Sequence, residues 1–189
     1  RLFLPPQLPR RGLVVEIGFE RELGAVMCID PNRVVTVNSG TSALHLAYHL
    51  AGIGKDDIVI ATPMTCSATI TPLVQLGAQI VWADIDPITG NIDPASVGEL
   101  VVEWGDRVKA IVAVDWAGRP ARYAELRKVV PWRIPIIEDA AHAWGAMRVG
   151  SGPDTAISGI GLFAETDNIF ICYSLQAIKH LTTGDGGIL

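Results

Sequence analysis

Five short apolar runs limit how this chain can fold. They are residues 57–61 (DIVIA), 79–83 (QIVWA), 108–114 (VKAIVAV), 134–138 (IPIIE) and 169–173 (IFICY). Continuous runs of this length, rich in β-branched residues, read as strands buried on both faces. A further short run, 33–37 (RVVTV), reads as a strand, and Ile188-Leu189 begins another. Between the runs lie stretches of helix formers at 43–51, 65–76, 93–102 and 121–130, with shorter helical segments at 13–24 and 140–146. Asp93 followed by Pro94 marks a helix start, an N-cap and then a first helical position. Pro72 must kink the 65–76 helix or belong to its first turns. Strands alternating with helices predict an α/β fold, a three-layer sandwich around a mostly parallel sheet with right-handed crossovers. The high hydrophobic fraction, 49%, suits a sheet covered on both sides.

The 189 residues suffice for one domain with a real core. Residues 1–12, with three prolines and three arginines, read as an irregular arm, and 147–167 as a loop punctuated by Gly, Ser and Pro. The formal charge of −5 and the lack of a basic tract exclude nucleic acid as an expected partner. No apolar run approaches the roughly 20 residues that span a bilayer. The opening residues lack the apolar core and cleavage site of a signal peptide. The cysteines, Cys28, Cys66 and Cys172, are odd in number and far apart, which points to no metal site and to a reducing, cytoplasmic compartment.

Four segments carry residues able to do chemistry. Ser39-Gly40-Thr41-Ser42 lies between a strand and a helix, where a glycine, free N–H groups and hydroxyls can cradle a phosphate; an ordinary Ser or Thr N-cap reads the same way. It is neither a Walker loop nor a dinucleotide fingerprint, because GKS/GKT and GxGxxG are absent. Glu138-Asp139-Ala140-Ala141-His142 follows a strand. A carboxylate there can hold a pyridine nitrogen protonated; a helix N-cap and a core histidine are the plainer alternatives. Ser174 and Lys179 precede a glycine-rich stretch, where an amine can be activated to attack a carbonyl, although most lysines are simply solvated. Residues 63–69 (PMTCSAT) follow another strand and can line the face of a ring, or cap a helix through Thr65 or Ser67.

Taken in order, the GTSAL segment, a strand-end EDAAH and an S-x-x-x-x-K followed by glycines form a specific set. Thr62-Pro63 with Thr65 and Ala68-Thr69, Gly77-Ala78, Asp84-Ile85-Asp86, 91–94, Gly118-Arg119-Pro120 and Gly145-Ala146 extend it. From about residue 13 to its end the sequence resembles the DegT/DnrJ/EryC1/StrS sugar aminotransferases, within the aspartate-aminotransferase fold (fold type I) of pyridoxal-phosphate enzymes. The resemblance implies that residues 13–189 are the large, cofactor-binding domain, without the smaller C-terminal domain of such enzymes. It implies pyridoxal 5′-phosphate as cofactor, with Lys179 as its covalent anchor and proton carrier. Asp139 would face the ring nitrogen and His142 the ring hydroxyl oxygen. Gly40, Thr41 and Ser174 would hold the phosphate, and Ala141 would pack on one ring face. Cys66 takes the place of an aromatic residue that commonly covers the other. The implied reaction moves an amino group from an amino-acid donor, expected to be L-glutamate, to a nucleotide-linked keto-sugar, in lipopolysaccharide, cell-surface glycan or antibiotic-sugar synthesis. A homodimer is implied for the full-length form. Two further readings are a cofactor-binding or regulatory module without turnover and a sugar dehydratase; relatives of the latter kind carry histidine where this chain has Lys179. A nicotinamide-dependent oxidoreductase fits the alternation alone but lacks its glycine fingerprint.

Overall fold

The structure, a computed structural model, describes residues 10–149, 156–158 and 168–189. Seven strands form one sheet: β1 (Thr36–Val37), β2 (Ile58–Ala61), β3 (Gln79–Trp82), β4 (Val108–Val114), β5 (Ile136–Asp139), β8 (Ile169–Ser174) and β9 (Gly187–Ile188). Their order across the sheet is β1-β9-β8-β5-β4-β2-β3. The five strands from β8 to β3 run parallel, and β9 is antiparallel to both β8 and β1. Among the described residues five α-helices accompany them: α1 (Arg10–Met27), α2 (Gly40–Leu50), α3 (Ser67–Gln75), α4 (Pro94–Trp104) and α5 (Tyr123–Val129).

The two-residue period of the strands explains why the apolar runs are continuous. Ile58, Ile60, Ile111, Ala113 and Ile136 face one side, against Val97 and Val101 of α4 and Tyr123 and Leu126 of α5. Val59, Ala61, Ala110, Val112, Ile137 and Cys172 face the other, against Ala43, Leu44, Ala47 and Tyr48 of α2 and Leu73 of α3. Every residue therefore has an apolar neighbour, and burial of each large aliphatic side chain contributes about 1.5–3 kcal/mol. A third cluster joins Leu23 and Met27 of α1 to Tyr173, Leu175 and Ile188 at the β8–β9 edge. The α/β three-layer reading and the mostly parallel sheet hold.

Local differences have local causes. Helix α1 starts at Arg10 and continues through Gly24 to Met27. The expected arm thus loses residues 10–12 to a helix, and its remaining residues lie outside those described. The 33–37 strand shortens to Thr36–Val37, because Asp30 accepts from Asn32 N and Pro31–Arg33 turns as a 3-10 helix. Helix α2 begins at Gly40, so the expected turn at 40–42 is its first turn, capped by Ser39. Helix α3 starts after Thr65, and Pro72 lies in its interior rather than its first turn. Residues 140–146 form no helix: Asp139 Oδ1 accepts from Ala141 N, and two successive turns follow, closed by Ala143 N to Ala140 O and Ala146 N to Ala143 O. The expected 147–167 loop contains two short antiparallel strands, β6 (Met147–Val149) and β7 (Ala156–Ser158); its other residues lie outside those described. Among the described residues no helix is long and apolar enough to cross a membrane.

Candidate active site

Crossover connections in a parallel sheet open a crevice beyond the carboxyl ends of the strands. Here the ends of β4, β5 and β8, with the start of α2 and the β2–α3 connection, enclose a cavity of about 570 Å³, within the size range of small-molecule and cofactor sites. Gly40, Thr41, Cys66, Asp139, Ala141, His142, Ser174 and Lys179 all line it. A smaller apolar cavity of about 320 Å³, bordered by Met27, Val34 and Leu189, shares none of these residues.

One end is the start of α2. Ser39 accepts from Ser42 N at 3.1 Å, and Ser42 Oγ donates to Asn38 Oδ1 at 2.6 Å. The first turn of a helix leaves N–H groups without intrahelical partners and carries partial positive charge. Gly40 makes that turn approachable. A Cβ there would sit 2.8 Å from Ser174 Cβ and 3.3 Å from its Oγ, so only glycine lets the end of β8 close on the helix. Gly187 does the same from behind: a Cβ on it would lie 2.2 Å from Ser39 O and 2.8 Å from Gly40 N. Ser174 Oγ in turn accepts from Gln176 N at 3.4 Å.

Asp139 stands at the end of β5 and is only 6% exposed. Thr69 Oγ1 donates to its Oδ2 at 2.6 Å, while Oδ1 takes the Ala141 amide at 3.1 Å. Among the described residues no cation pairs with it. Around it, Tyr48 donates to Thr69 O at 2.8 Å, and Cys172 lies beside Asp139 across the β5–β8 ladder. Burial, with the Asp139 charge adding to it, pushes both the Tyr48 hydroxyl and the Cys172 thiol well above their ordinary values. Both therefore stay neutral next to the carboxylate.

His142 follows in the turn after β5. Partial desolvation first, and then the positive charge of Lys179, hold its imidazole below the usual histidine value; Asp139 pulls the other way. Lys179 is half-buried in the loop after β8, and its N–H donates to Gln176 O at 2.9 Å. Cys66 is the exposed N-cap of α3 and makes no side-chain cap bond.

Sequence reasoning missed residues in this wall and behind it. Thr69 was read only within a ring-facing segment, yet it is fully buried and bonded to Asp139. The available signal was Thr65 and Thr69 four apart, which places them on one side of a helix start next to a strand end. Asp115 and Trp116, likewise missed, line the cavity itself. Asp115 is buried and accepts from Ala121 N and Tyr123 Oη, and Trp116 N donates to Asn91 Oδ1.

The model of the DegT/DnrJ/EryC1/StrS aminotransferase family matches residues 15–189. The chain belongs to this family. Among its relatives, the spore coat polysaccharide biosynthesis protein SpsC of Bacillus subtilis is 35% identical over 176 residues, covering 90% of this chain and 40% of that protein. The UDP-4-amino-4,6-dideoxy-N-acetyl-beta-L-altrosamine transaminase of Campylobacter jejuni is 33% identical over 156 residues, covering 80% and 37%. The crystal structure of the sugar aminotransferase CalS13 from Micromonospora echinospora matches with a TM-score of 0.72 and 36% identity, over 90% of this chain and 44% of that one. The chain thus has the fold of the DegT/DnrJ/EryC1/StrS aminotransferases and spans about two fifths of the length of the curated relatives it matches.

Proposed function

We propose that this chain is the cofactor-binding part of a pyridoxal 5′-phosphate-dependent aminotransferase, acting from L-glutamate onto a nucleotide-linked keto-sugar. One observation carries the reading. A half-buried lysine, a buried carboxylate without a cationic partner among the described residues, and a helix start that a Cβ would block share one cavity. These are the groups needed at the aldehyde, the ring nitrogen and the phosphate, so the donor set fits the cofactor. The names of the relatives support the substrate class: one is a transaminase of a UDP-linked amino sugar and another serves polysaccharide synthesis.

Bound pyridoxal phosphate supplies an electron sink that stabilises negative charge on a carbon attached through nitrogen. The residues then divide the work. Gly40 and Thr41 present N–H groups, and Ser174 its hydroxyl, to the phosphate. Asp139 holds a proton on the ring nitrogen. His142, held neutral, can donate to the ring oxygen. Ala141 packs on one ring face and Cys66 covers the other. Lys179 would anchor the cofactor, and its Nζ would be the group that takes and returns the proton at the substrate carbon. Residues 13–189 would form the large domain, with a small domain and a homodimer in the full-length protein. Three free thiols support a reducing, cytoplasmic setting.

The test is to load the purified chain with pyridoxal phosphate, reduce it with borohydride and map the added mass. Attachment at Lys179 is expected. L-Glutamate should then abolish the absorbance of the lysine-bound cofactor in unreduced protein. Labelling at other lysines only would overturn the assignment. Attachment without any response to amino donors would identify a binding module instead.

A further inference from the structure

The buried side of Asp139 contains a directed chain of hydroxyls. Thr69 Oγ1 donates its only hydroxyl proton to Asp139 Oδ2 at 2.6 Å. Thr65 Oγ1 lies 2.6 Å from Thr69 Oγ1. Because the Thr69 proton is already directed to the carboxylate, Thr65 must be the donor in that second bond. The order is Thr65 to Thr69 to Asp139, and Thr65 is half-buried on the cavity wall. Thr69 is held from behind as well: its carbonyl takes the hydroxyl of Tyr48, and its amide bonds to Cys66 O at 3.1 Å. The other ionisable groups near Asp139 are Tyr48 on α2, Cys172 on β8, Glu138 on its own strand, Asp115 at the end of β4, whose amide donates to Asp139 O at 3.0 Å, and His142, with Lys179 and Asp185 on the same cavity. Among the described residues, only Thr69 Oγ1 and the Ala141 amide hydrogen-bond to its carboxylate.

We propose that Thr69 is a positioning residue: its hydroxyl, oriented by Thr65, fixes the Asp139 carboxylate and occupies one of its oxygens, so that a ring nitrogen facing it keeps its proton. The proposal rests on the cofactor chemistry proposed above. Both consequences of losing the hydroxyl act in one direction. A carboxylate deprived of a charge-assisted donor draws a shared proton toward itself, and a carboxylate free to rotate holds that proton less well on the ring. Either way the ring carries less positive charge, and the nitrogen joining Lys179 to the cofactor gains proton affinity.

The decisive measurement is a pH titration of the visible absorbance of the lysine-bound cofactor, with the cofactor's ring nitrogen followed by ¹⁵N resonance. Thr69→Val is nearly isosteric and tests the hydroxyl alone. Its titration midpoint should rise by about half a unit or more, roughly a threefold change in proton affinity. Its ¹⁵N signal should move toward that of an unprotonated ring. Thr69→Ser keeps the hydroxyl and should restore both. Thr65→Val should shift both in the same direction by less. A Thr69→Val midpoint equal to that of the unmutated protein, or of Thr69→Ser with an equal shift, overturns the proposal; so does a larger effect at Thr65 than at Thr69. If Thr69→Val fails to fold, Thr69→Ser and Thr65→Val still decide it: a shift in Thr65→Val without one in Thr69→Ser supports the relay, and any other pair of results overturns it. The two readings fail differently. An unmutated protein that never forms the lysine-bound band removes the cofactor assignment, whereas a band indifferent to Thr69 removes only the relay.

Discussion

Gly40→Ala tests the proposed phosphate cradle where it is narrowest. The new Cβ would meet Ser174 Cβ at 2.8 Å and Ser174 Cα at 3.2 Å. Carbon atoms normally pack at about 3.5–4.0 Å, so the contact is short by about 0.7 Å. Ser174 Cβ is fixed to the strand, and rotating its hydroxyl gives no relief; the start of α2 and the end of β8 must part. Overpacking of this kind costs about 1–3 kcal/mol, and alanine in a helix returns at most about 1 kcal/mol. The net loss is at most about 3 kcal/mol, a fall in Tm of up to about 12 °C for a chain of this size. The parted surfaces also lose one hydrogen bond to a charged phosphate, about 1.5–3 kcal/mol, or roughly 10- to 150-fold in Kd. Thermal unfolding without cofactor reads the first effect and fluorescence titration with pyridoxal phosphate the second. Ser174→Gly added to Gly40→Ala should recover stability, relative to Ser174→Gly alone, without recovering affinity. A Gly40→Ala protein with unchanged Tm and unchanged affinity would refute the cradle.

Other expectations follow from the same geometry. In the folded protein Cys28 and Cys66 should react with a thiol reagent while Cys172, buried with its thiol value raised, should wait for unfolding; bound cofactor should protect Cys66 and leave Cys28 unchanged. Equal labelling of all three, or a Cys66 rate indifferent to cofactor, would contradict the arrangement. His142 has its folded value lowered, so as pH falls below about 6.5 the unfolded chain takes up its proton first and the folded state loses stability. His142→Gln should therefore gain in Tm relative to the unmutated protein between pH 7.5 and pH 5, and a difference constant with pH would count against it. Ile111→Ala, at a fully buried position in the central strand, should lower stability by about 2–5 kcal/mol in urea melts with an unchanged slope.

The sheet was legible because both its faces are covered. Residues 57–61, 108–114 and 134–138 announce themselves as unbroken apolar runs only when helices lie on either side. The Asp93-Pro94 helix start was legible because a cap acts within a few residues. The failures came where a single polar side chain redirected the backbone. Asp139 accepts from Ala141 N and converts a stretch of good helix formers, 140–146, into turns. Asp30 does the same before β1. The bond from Thr69 to Asp139 joins residues 70 apart in sequence, and no local pattern encodes it. The eight predicted site residues share one cavity because loops at the carboxyl ends of parallel strands converge whatever their separation along the chain.

The close fit of Gly187 behind Ser39 and Gly40 has a consequence for how the molecule is made. Strand β9 slots between β1 and β8, and its backbone closes the rear of a turn that left the ribosome long before it. Contacts of such large sequence separation form late, because the intervening chain must be ordered first. Until β9 arrives, β1 has no paired neighbour in the sheet, β8 has an open edge and the start of α2 has no floor. The nascent chain then carries an unpaired strand of the kind that invites misassembly. If Gly40 holds an anion, as proposed, that site has its rear wall only once β9 has closed behind it.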